Sequence, residues 1–368
     1  MMKLLFVGDY SNFHVSLADE LRRQGHEATV VSSGSRCMDT RRDINLQRVP
    51  GFVGGLKYLY RIFSLLPQMS GYDVVQLINP NFFDLQPGKI RYFFHELRRK
   101  NRSVFLSLAG SDPYIVKMCC DARRLRYSEF RVGREPAPYA VANPFKEMEW
   151  QTVEMMNHCS DIYGGVDGAI SCLYEYHLAG EEYLGGKLAY TGIPIDVDNI
   201  THAPLPLRDK VNIFVGIKSE YKEFKGLERL LAAAQRVERE LPDKCKVTVV
   251  ESLPYAEYMQ RLAEADILLD QLYSYTPATN ALGAMAMGKV VVSGAEPEFY
   301  DFIGEHALRP VVNVTPDDES IYQTIKGLVL DRERLKLLSS QGREFVEKHN
   351  SSKVVVQRYL RHIEQTLK

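Results

Sequence analysis

The stretch ADILLDQLYSYTPATNALGAMAMGKVVVSG, residues 265–294, decides the fold class of this chain. It combines an apolar strand, a turn-rich loop, a small-residue helix that ends at a Gly-Lys pair, and a second apolar strand. A loop that runs from a strand end into a helix N-terminus presents free backbone N–H groups. These groups and the helix dipole favour an anion, and phosphate suits them best. The stretch therefore predicts a phosphate site in an α/β protein.

The same alternation of strand and helix extends along the rest of the chain. Apolar runs that predict strands lie at residues 3–8, 27–32, 73–78, 103–108, 168–173, 187–191, 210–215 and 246–251. Helical patterns between these runs are typical of parallel sheets that are covered on both faces. With 368 residues the chain is too long for one ordinary core. The sequence therefore predicts an α/β fold with two doubly wound parallel sheets.

The proline-rich segment TGIPIDVDNITHAPLP, residues 191–206, marks the predicted domain junction. We expect an N-terminal domain over 1–195, a linker over 196–206 and a C-terminal domain over 207–350. Residues 351–368 predict a C-terminal helix, for which packing against the N-terminal domain is one arrangement. Ligands bind beyond the carboxyl ends of strands in such sheets, so we expect a site in a cleft between the domains.

Composition excludes several classes of protein. The net charge of −1 gives no strongly basic surface for nucleic acid. The cysteines show no spacing typical of a metal site, so we expect no metal. The N-terminal apolar run is short for a signal peptide, and no apolar stretch is long enough to cross a bilayer. We therefore expect a cytoplasmic protein, with contact at the inner surface of the membrane left open.

Several short segments follow one another in a characteristic order: Gly25-His26, TGIPID at 191–196, FVG at 214–216, KGL at 225–227 and AMAMGK at 284–289. In this order they resemble the GT-B glycosyltransferases, specifically the glycosyltransferase family 4-like group. The resemblance implies two Rossmann-like domains, with a nucleotide-diphosphate sugar on the C-terminal domain and the acceptor on the N-terminal domain. It also implies no cofactor, retention of configuration, and a glycan or lipid-linked glycan acceptor in bacterial surface polysaccharide synthesis.

The chain departs from this group around the predicted donor loop. The group usually has two glutamates eight positions apart, and the corresponding positions here hold Tyr275 and Gly283. The arginine that usually follows the first strand of the C-terminal domain is replaced by Ile217, with Lys218 next to it. The resemblance therefore predicts the fold but not the details of donor recognition.

Two lysines are the predicted cations for the donor diphosphate. Lys225 is the first candidate because Gly226 lets the backbone approach a ligand closely. Lys218 is the second, at the position of the group's arginine, although a lysine supplies a point charge without a bidentate fork. A solvated lysine-rich loop is the alternative interpretation.

Five further residues are predicted to contact the donor. Thr276, Thr279 and Asn280 are placed to cap the following helix and to offer hydroxyl or amide contacts. Glu296 and Glu298 follow the next strand and are candidates to accept hydrogen bonds from hydroxyls of the donor sugar. A plain helix cap and exposed turn carboxylates are the respective alternatives.

In the N-terminal domain, the predicted catalytic residues are Asp112 and His14. They follow two of the predicted strands, and the resemblance implies that the corresponding turns approach the acceptor and the transferred sugar. We expect them to orient the acceptor or to transfer a proton. For Asp112 a helix-capping or turn role competes, and for His14 a structural role competes.

Two basic, aromatic stretches, residues 56–66 and 89–100, are candidates for contact with an anionic membrane or a lipid-linked acceptor. Ordinary amphipathic helices with extended Lys and Arg side chains are the alternative. Two other functions also remain open at this point. One is a non-catalytic nucleotide-sugar-binding homologue or partner protein, and the other is a nucleotide-sugar epimerase on the same architecture.

Overall fold

The computed structural model describes residues 1–34, 38, 40–205 and 208–368. Pro206, at the end of the predicted linker, lies outside these residues. The described residues divide into two compact units. Unit 1 comprises Met1–Lys117, Glu147–Pro194 and Ser352–Lys368, and unit 2 comprises Met118–Lys146 and Ile195–Ser351.

The strands of the described residues are β1 Lys3–Val7, β2 Glu27–Ser32, β3 Ile44–Asn45, β4 Val74–Leu77, β5 Val104–Leu108, β6 Arg131–Val132, β7 Glu135–Pro136, β8 Gly168–Ser171, β9 Leu188–Tyr190, β10 Val211–Ile217, β11 Cys245–Glu251, β12 Ile267–Leu269, β13 Val290–Ser293 and β14 Val312–Asn313. The helices are α1 Phe13–Arg23, α2 Phe52–Leu65, α3 Pro87–Lys100, α4 Pro113–Cys120, α5 Pro138–Ala142, α6 Lys146–Trp150, α7 Val153–Gly165, α8 Tyr174–Leu184, α9 Lys222–Lys225, α10 Leu227–Glu240, α11 Tyr255–Ala263, α12 Thr279–Ala286, α13 Pro297–Phe302, α14 Asp318–Leu330, α15 Arg332–His349 and α16 Ser352–Thr366. None of these helices combines the length and the hydrophobicity that a membrane-spanning segment needs.

Unit 1 is built on a parallel sheet with the strand order β3-β2-β1-β4-β5-β8-β9. The central strand β1 is buried from Leu4 to Val7, which explains why its sequence is continuously apolar rather than alternating. Strands β2 and β4 lie on opposite sides of β1, so the strand order reverses between β1 and β4. Turns after β1, β4 and β5 therefore meet at one edge of the sheet.

Unit 2 contains a second parallel sheet with the order β11-β10-β12-β13-β14. Its middle strands are also buried, and α10, α12 and α15 pack against the sheet or against one another. The two parallel sheets confirm the predicted fold class.

The division into units differs from the expected N-terminal domain at one segment, whereas the C-terminal helix has the arrangement considered for it. Residues 118–146, which were expected in the N-terminal domain, belong to unit 2. The C-terminal helix α16 belongs to unit 1, where it packs against α1 and β8. Its Tyr359 is fully buried and its ring lies 6.2 Å from that of Phe6 in β1. The last helix therefore completes the hydrophobic core of the first unit.

Candidate functional site

The loops that follow β10, β12 and β13 lie at one edge of the unit 2 sheet. These strands are neighbours and run parallel, so their carboxyl ends at Ile217, Leu269 and Ser293 point the same way. The loops after them contain the residues that the sequence predicts as donor contacts. This edge is where doubly wound sheets bind ligands.

A buried carboxylate at the end of β12 connects two of the predicted residues. The Lys225 Nζ donates to Asp270 Oδ1 at 2.9 Å, and the Asn280 Nδ2 donates to the same oxygen at 2.9 Å. The Tyr258 hydroxyl donates to Asn280 Oδ1 at 2.9 Å. Asp270 is only 2% exposed, and its second oxygen, Oδ2, has no hydrogen-bond partner among the described residues. The cluster thus retains one free acceptor.

The backbone next to Lys225 requires glycine. Gly226 has φ 67°, and a Cβ added there would come within 2.9 Å of both Leu272 Cβ and Tyr273 Cε2. The Leu272 N–H donates to the Lys225 carbonyl at 2.8 Å. Gly226 therefore allows a close approach to the loop after β12, whereas the predicted approach to a ligand stays a prediction.

Helices α10 and α12 begin beside this cluster, and neither is capped by a side chain of the described residues. The residue before α10 is Gly226, and the residue before α12 is Ala278. The N-cap position of α12 is held by Ala278, which has no side-chain acceptor, and the Asn280 amide binds Asp270. Two helix N-termini with uncapped N–H groups adjoin Lys225 and Asn280, and both favour an anion.

The remaining predicted residues of this region have different surroundings. Lys218 lies 3.7 Å from the carboxylate of Glu220 and places its Nζ 5.5 Å from the ring centre of Tyr221. Thr276 is buried, whereas Thr279 is half-buried in the first turn of α12. Of the predicted donor contacts in these loops, the structure therefore joins Lys225 and Asn280 through one carboxylate.

Glu296 is the centre of a separate network in unit 2. Its Oε1 accepts hydrogen bonds from the Tyr127 hydroxyl and, at 2.9 Å, from the Asn313 side-chain amide. Its Oε2 accepts from the Arg126 guanidinium, which also pairs with Glu298. Both oxygens of Glu296 are thus engaged within the protein, and the side chain is nearly fully buried.

Arg126 and Tyr127 are the residues that sequence reasoning missed. They lie in the 118–146 segment, about 170 residues from Glu296 along the chain, and no motif marks them. The Arg126 N–H donates to the Tyr275 hydroxyl at 2.7 Å, and the Tyr127 and Tyr275 rings lie 5.1 Å apart. Burial and the Glu296 carboxylate raise the pKa of Tyr127, and the hydrogen bond from Arg126 lowers the pKa of Glu298. Tyr275 thus joins this network.

In unit 1, His14 lies fully inside the protein. Its Nδ1–H donates to the Gly8 carbonyl at 2.7 Å, and its Nε2 accepts from the Ser107 hydroxyl at 3.0 Å. The Gln76 amide donates to the same hydroxyl at 2.9 Å, which is consistent with that tautomer. Burial lowers the pKa of His14 to about 3. In this position the ring is a neutral bridge between the ends of β1 and β5 and exposes no atom to a substrate.

Asp112 is also fully buried, and it caps a helix. Its Oδ1 accepts from the backbone N–H groups of Tyr114 and Ile115 at 2.9 Å each. Its Oδ2 accepts from the Tyr163 hydroxyl at 2.6 Å. Burial raises the pKa of Asp112, while the hydrogen bond from Tyr163 opposes that rise. The structure therefore places Asp112 in the capping role that competes with catalysis.

Among the described residues, no group of three or more His, Cys, Asp or Glu side chains could hold a metal ion. At the end of β12 the charged groups are Lys225 and Asp270, the carboxylate with which it pairs. The chemistry that this edge can perform is electrostatic binding of an anion.

No protein-family model matches the sequence, and no curated protein matches it. Solved structures do resemble it. Sucrose-phosphate synthase from Thermosynechococcus elongatus is 14% identical with a TM-score of 0.64, over 99% of each chain. HepE from Anabaena in complex with UDP-glucose is 12% identical with a TM-score of 0.60, over 100% of this chain and 99% of that one.

A third similar structure is WaaG, a glycosyltransferase involved in lipopolysaccharide biosynthesis. It is 11% identical with a TM-score of 0.59, over 96% of this chain and 98% of that one. At these identities the likeness establishes the fold and leaves the activity to be argued from the site. The chain has the α/β fold of the GT-B class, with two Rossmann-like units on parallel sheets.

Proposed function

We propose that this protein is a glycosyltransferase that moves a sugar from a nucleotide-diphosphate sugar to a glycan or lipid-linked glycan acceptor. The observation that carries the proposal is the cluster at the end of β12. There Lys225 and two uncapped helix N-termini adjoin a buried carboxylate. The similar structures include HepE with UDP-glucose bound, which supports the same class of donor.

The donor diphosphate would bind at the N-termini of α10 and α12. Lys225 supplies a full positive charge there, and the backbone N–H groups supply partial charges. Charge develops on the leaving diphosphate as the glycosidic bond to the sugar breaks. Donors that are already fixed in place stabilise this charge without rearrangement. These groups make a metal unnecessary, so we propose metal-independent transfer.

Asp270 has a positioning role in this proposal. It accepts hydrogen bonds from Lys225 and Asn280 and so sets the direction of both side chains. Its Oδ2 is buried and has no hydrogen-bond partner among the described residues, so we propose that Asp270 acts through Lys225 and Asn280 and not by contact with the donor. This buried carboxylate lies in the region where the family 4-like group has glutamates that Tyr275 and Gly283 replace. Retention of configuration remains part of the proposal through the resemblance.

The other predicted site residues take supporting roles. Glu296 holds Arg126 and Tyr127 against the rest of unit 2, and we propose that it positions them instead of binding the sugar. His14 and Asp112 hold the turns after β1 and β5, which we propose as the acceptor side of the reaction. Lys218, Thr276, Thr279 and Glu298 stay candidate donor contacts. Bacterial surface polysaccharide synthesis is the proposed setting.

A non-catalytic homologue that binds nucleotide sugar is the second candidate function. Tyr275 favours it, because its hydroxyl accepts a backbone hydrogen bond from Arg126 in place of a carboxylate that could act on the donor. The two candidates share nucleotide binding and differ in turnover. Consumption of a nucleotide sugar, with or without an added acceptor, separates them.

A thermal-shift screen with UDP, GDP, ADP, CMP and their sugar-linked forms tests the proposal. A ligand that binds the native state raises the melting temperature by mass action. We expect a rise with one nucleoside diphosphate and its sugar, followed by release of that nucleotide from the sugar donor. Binding without turnover would favour the non-catalytic homologue. Absence of any shift and of any turnover would refute both.

A further inference from the structure

The helix α2 of unit 1 is apolar on both of its faces. One face, with Gly54, Tyr58 and Ile62, is buried. The opposite face carries large apolar side chains that are open to solvent: Phe52 at 82% exposure, Val53 at 61%, Leu56 at 52%, Tyr60 at 76% and Phe63 at 44%. At 100° per residue these side chains share the side of the helix that faces away from the core. A surface helix of a soluble protein normally presents polar residues on that side.

The neighbouring helix α3 shows the ordinary pattern and serves as an internal comparison. It buries Ile90, Phe93, Phe94 and Leu97 and exposes basic residues on its outer side. Its exposed Tyr92 is an exception, and the Tyr92 and Phe63 rings lie 5.8 Å apart. Tyr92 therefore extends the apolar face of α2 onto α3. Single exposed hydrophobic side chains need no explanation, but a contiguous surface of this kind marks an interaction site.

The charge around this surface indicates what binds there. Helix α2 has no acidic residue, and its exposed Lys57 and Arg61 lie one turn apart at the side of the apolar face. Between Arg48 and Lys100 the sequence has eight Lys and Arg residues and three Asp and Glu residues, whereas the whole chain has a net charge of −1. Most of these basic residues lie within 4.0 Å of a carboxylate, so the positive charge beside the apolar face of α2 is carried by Lys57 and Arg61.

We propose that the outer face of α2, with Tyr92, binds the surface of a membrane that contains anionic lipids. Apolar side chains would enter the boundary between headgroups and acyl chains, and Lys57 and Arg61 would contact the anionic headgroups. A protein partner of unknown sequence would need no uniform charge, whereas an anionic lipid surface matches the basic rim. Binding itself is independent of the proposed function. If the protein is a glycosyltransferase as proposed, membrane binding implies a lipid-linked acceptor, and this implication rests on the proposed function.

Vesicle flotation tests this inference with the full chain. We expect binding to phosphatidylcholine vesicles that contain about 30% phosphatidylglycerol, and weak binding to phosphatidylcholine alone. The variant Phe52→Ser, Leu56→Ser, Tyr60→Ser should lose this binding. Lys57→Glu with Arg61→Glu should weaken it by about thirtyfold or more, because each basic residue near the surface contributes a factor of about five and the new charges are repelled. The pair Leu330→Ser, Leu337→Ser removes exposed side chains from unit 2 and should bind vesicles normally.

All altered side chains are exposed, so the melting temperature and nucleotide binding should not change. Retained nucleotide binding with lost vesicle binding would separate this surface from the donor site. Equal vesicle binding by the α2 variant and the original protein would overturn the inference. So would a dimer, measured by light scattering, that the α2 variant converts to a monomer while no vesicle binding is seen, since a second copy would then cover the surface.

Discussion

The Lys225 ammonium lies 2.9 Å from the Asp270 carboxylate, and this ion pair joins the last residue of α9 to the end of β12. Asp270 is buried, while the Lys225 side chain retains 28% of its exposure. The ion pair therefore fixes the Lys225 ammonium at the sheet edge, where this ammonium stays accessible to a ligand. An anion that binds there would share the lysine with Asp270, which makes Lys225 the residue on which the account depends.

Gly226→Ala should destabilise the protein and weaken nucleotide binding. The new Cβ would lie 2.9 Å from atoms of Leu272 and Tyr273. The alanine would also have to adopt a φ of 67°, which is unfavourable for a residue with a side chain. We expect a loss of about 2–4 kcal/mol in the free energy of unfolding, measured in urea. Gly71→Ala is the matched control, since Gly71 has φ 81° with open space around it. Gly71→Ala should lower the free energy of unfolding by only about 1 kcal/mol, because only the left-handed backbone conformation is unfavourable there. Equal losses would show that the approach to Leu272 and Tyr273 is unimportant.

Glu296→Gln should loosen the 118–146 segment. The change removes the negative charge that pairs with Arg126 and turns one acceptor into a donor facing buried partners. We expect a loss of about 2–4 kcal/mol in unfolding free energy and faster tryptic cleavage within the segment. Glu298→Gln is the control because Glu298 is far more exposed. This substitution should lower the free energy of unfolding by less than about 1 kcal/mol. Cleavage at the same rate in both variants would contradict this role for Glu296.

Stability should fall as the pH drops below the usual pKa of histidine. His14 titrates near 6.5 when unfolded and at about 3 when folded, so the unfolded state binds more protons between these values. The stability contributed by neutral His14 is thus present above pH 6.5 and is lost as the pH falls. We expect a loss of about 2–3 kcal/mol from pH 7 to about pH 4.5.

Two measurements isolate the contribution of His14. Urea unfolding across this pH range should show a shallower slope for His14→Asn, whereas His306→Asn should leave the slope unchanged because His306 is exposed. In the folded original protein, the imidazole resonances of His14 should not shift between pH 7 and about pH 5. A His14 resonance that titrates near its ordinary pKa would show that the ring is not buried in solution.

Chelation should leave sugar transfer unaffected. The proposed site stabilises the leaving diphosphate with Lys225 and with the N–H groups of α10 and α12. We expect the rate of nucleotide release from the sugar donor to be the same before and after treatment with EDTA and gel filtration. A rate that falls on chelation and returns with Mg²⁺ or Mn²⁺ would require a metal in the donor complex.

Local patterns were sufficient to predict the sheets. The run that became β1 is apolar throughout because both of its sides are buried, and Lys225 and Asn280 meet because their loops follow neighbouring strands. Both outcomes depend on short-range rules about parallel sheets. The general location of the candidate site could therefore be predicted from the sequence.

Residues whose roles depend on distant partners could not be predicted in this way. Tyr127 meets Glu296 only through the fold, and nothing in its own segment indicates a buried carboxylate elsewhere. The turns with His14 and Asp112 were placed correctly after strands, but a polar side chain in such a turn can point inward or outward. Ser107 and Tyr163, whose hydroxyls donate the deciding hydrogen bonds, come from other elements of unit 1.

Calorimetric titration with a nucleoside diphosphate and the matching monophosphate measures whether Lys225 contacts the donor diphosphate. The nucleotide is the one that the thermal-shift screen selects. Lys225→Met should lose about ten- to a hundredfold in diphosphate affinity and little in monophosphate affinity. Lys222→Met, in the same loop but paired with Glu228, should bind both as the original protein does. An unchanged preference for the diphosphate in Lys225→Met would contradict the assignment of Lys225 to the donor diphosphate.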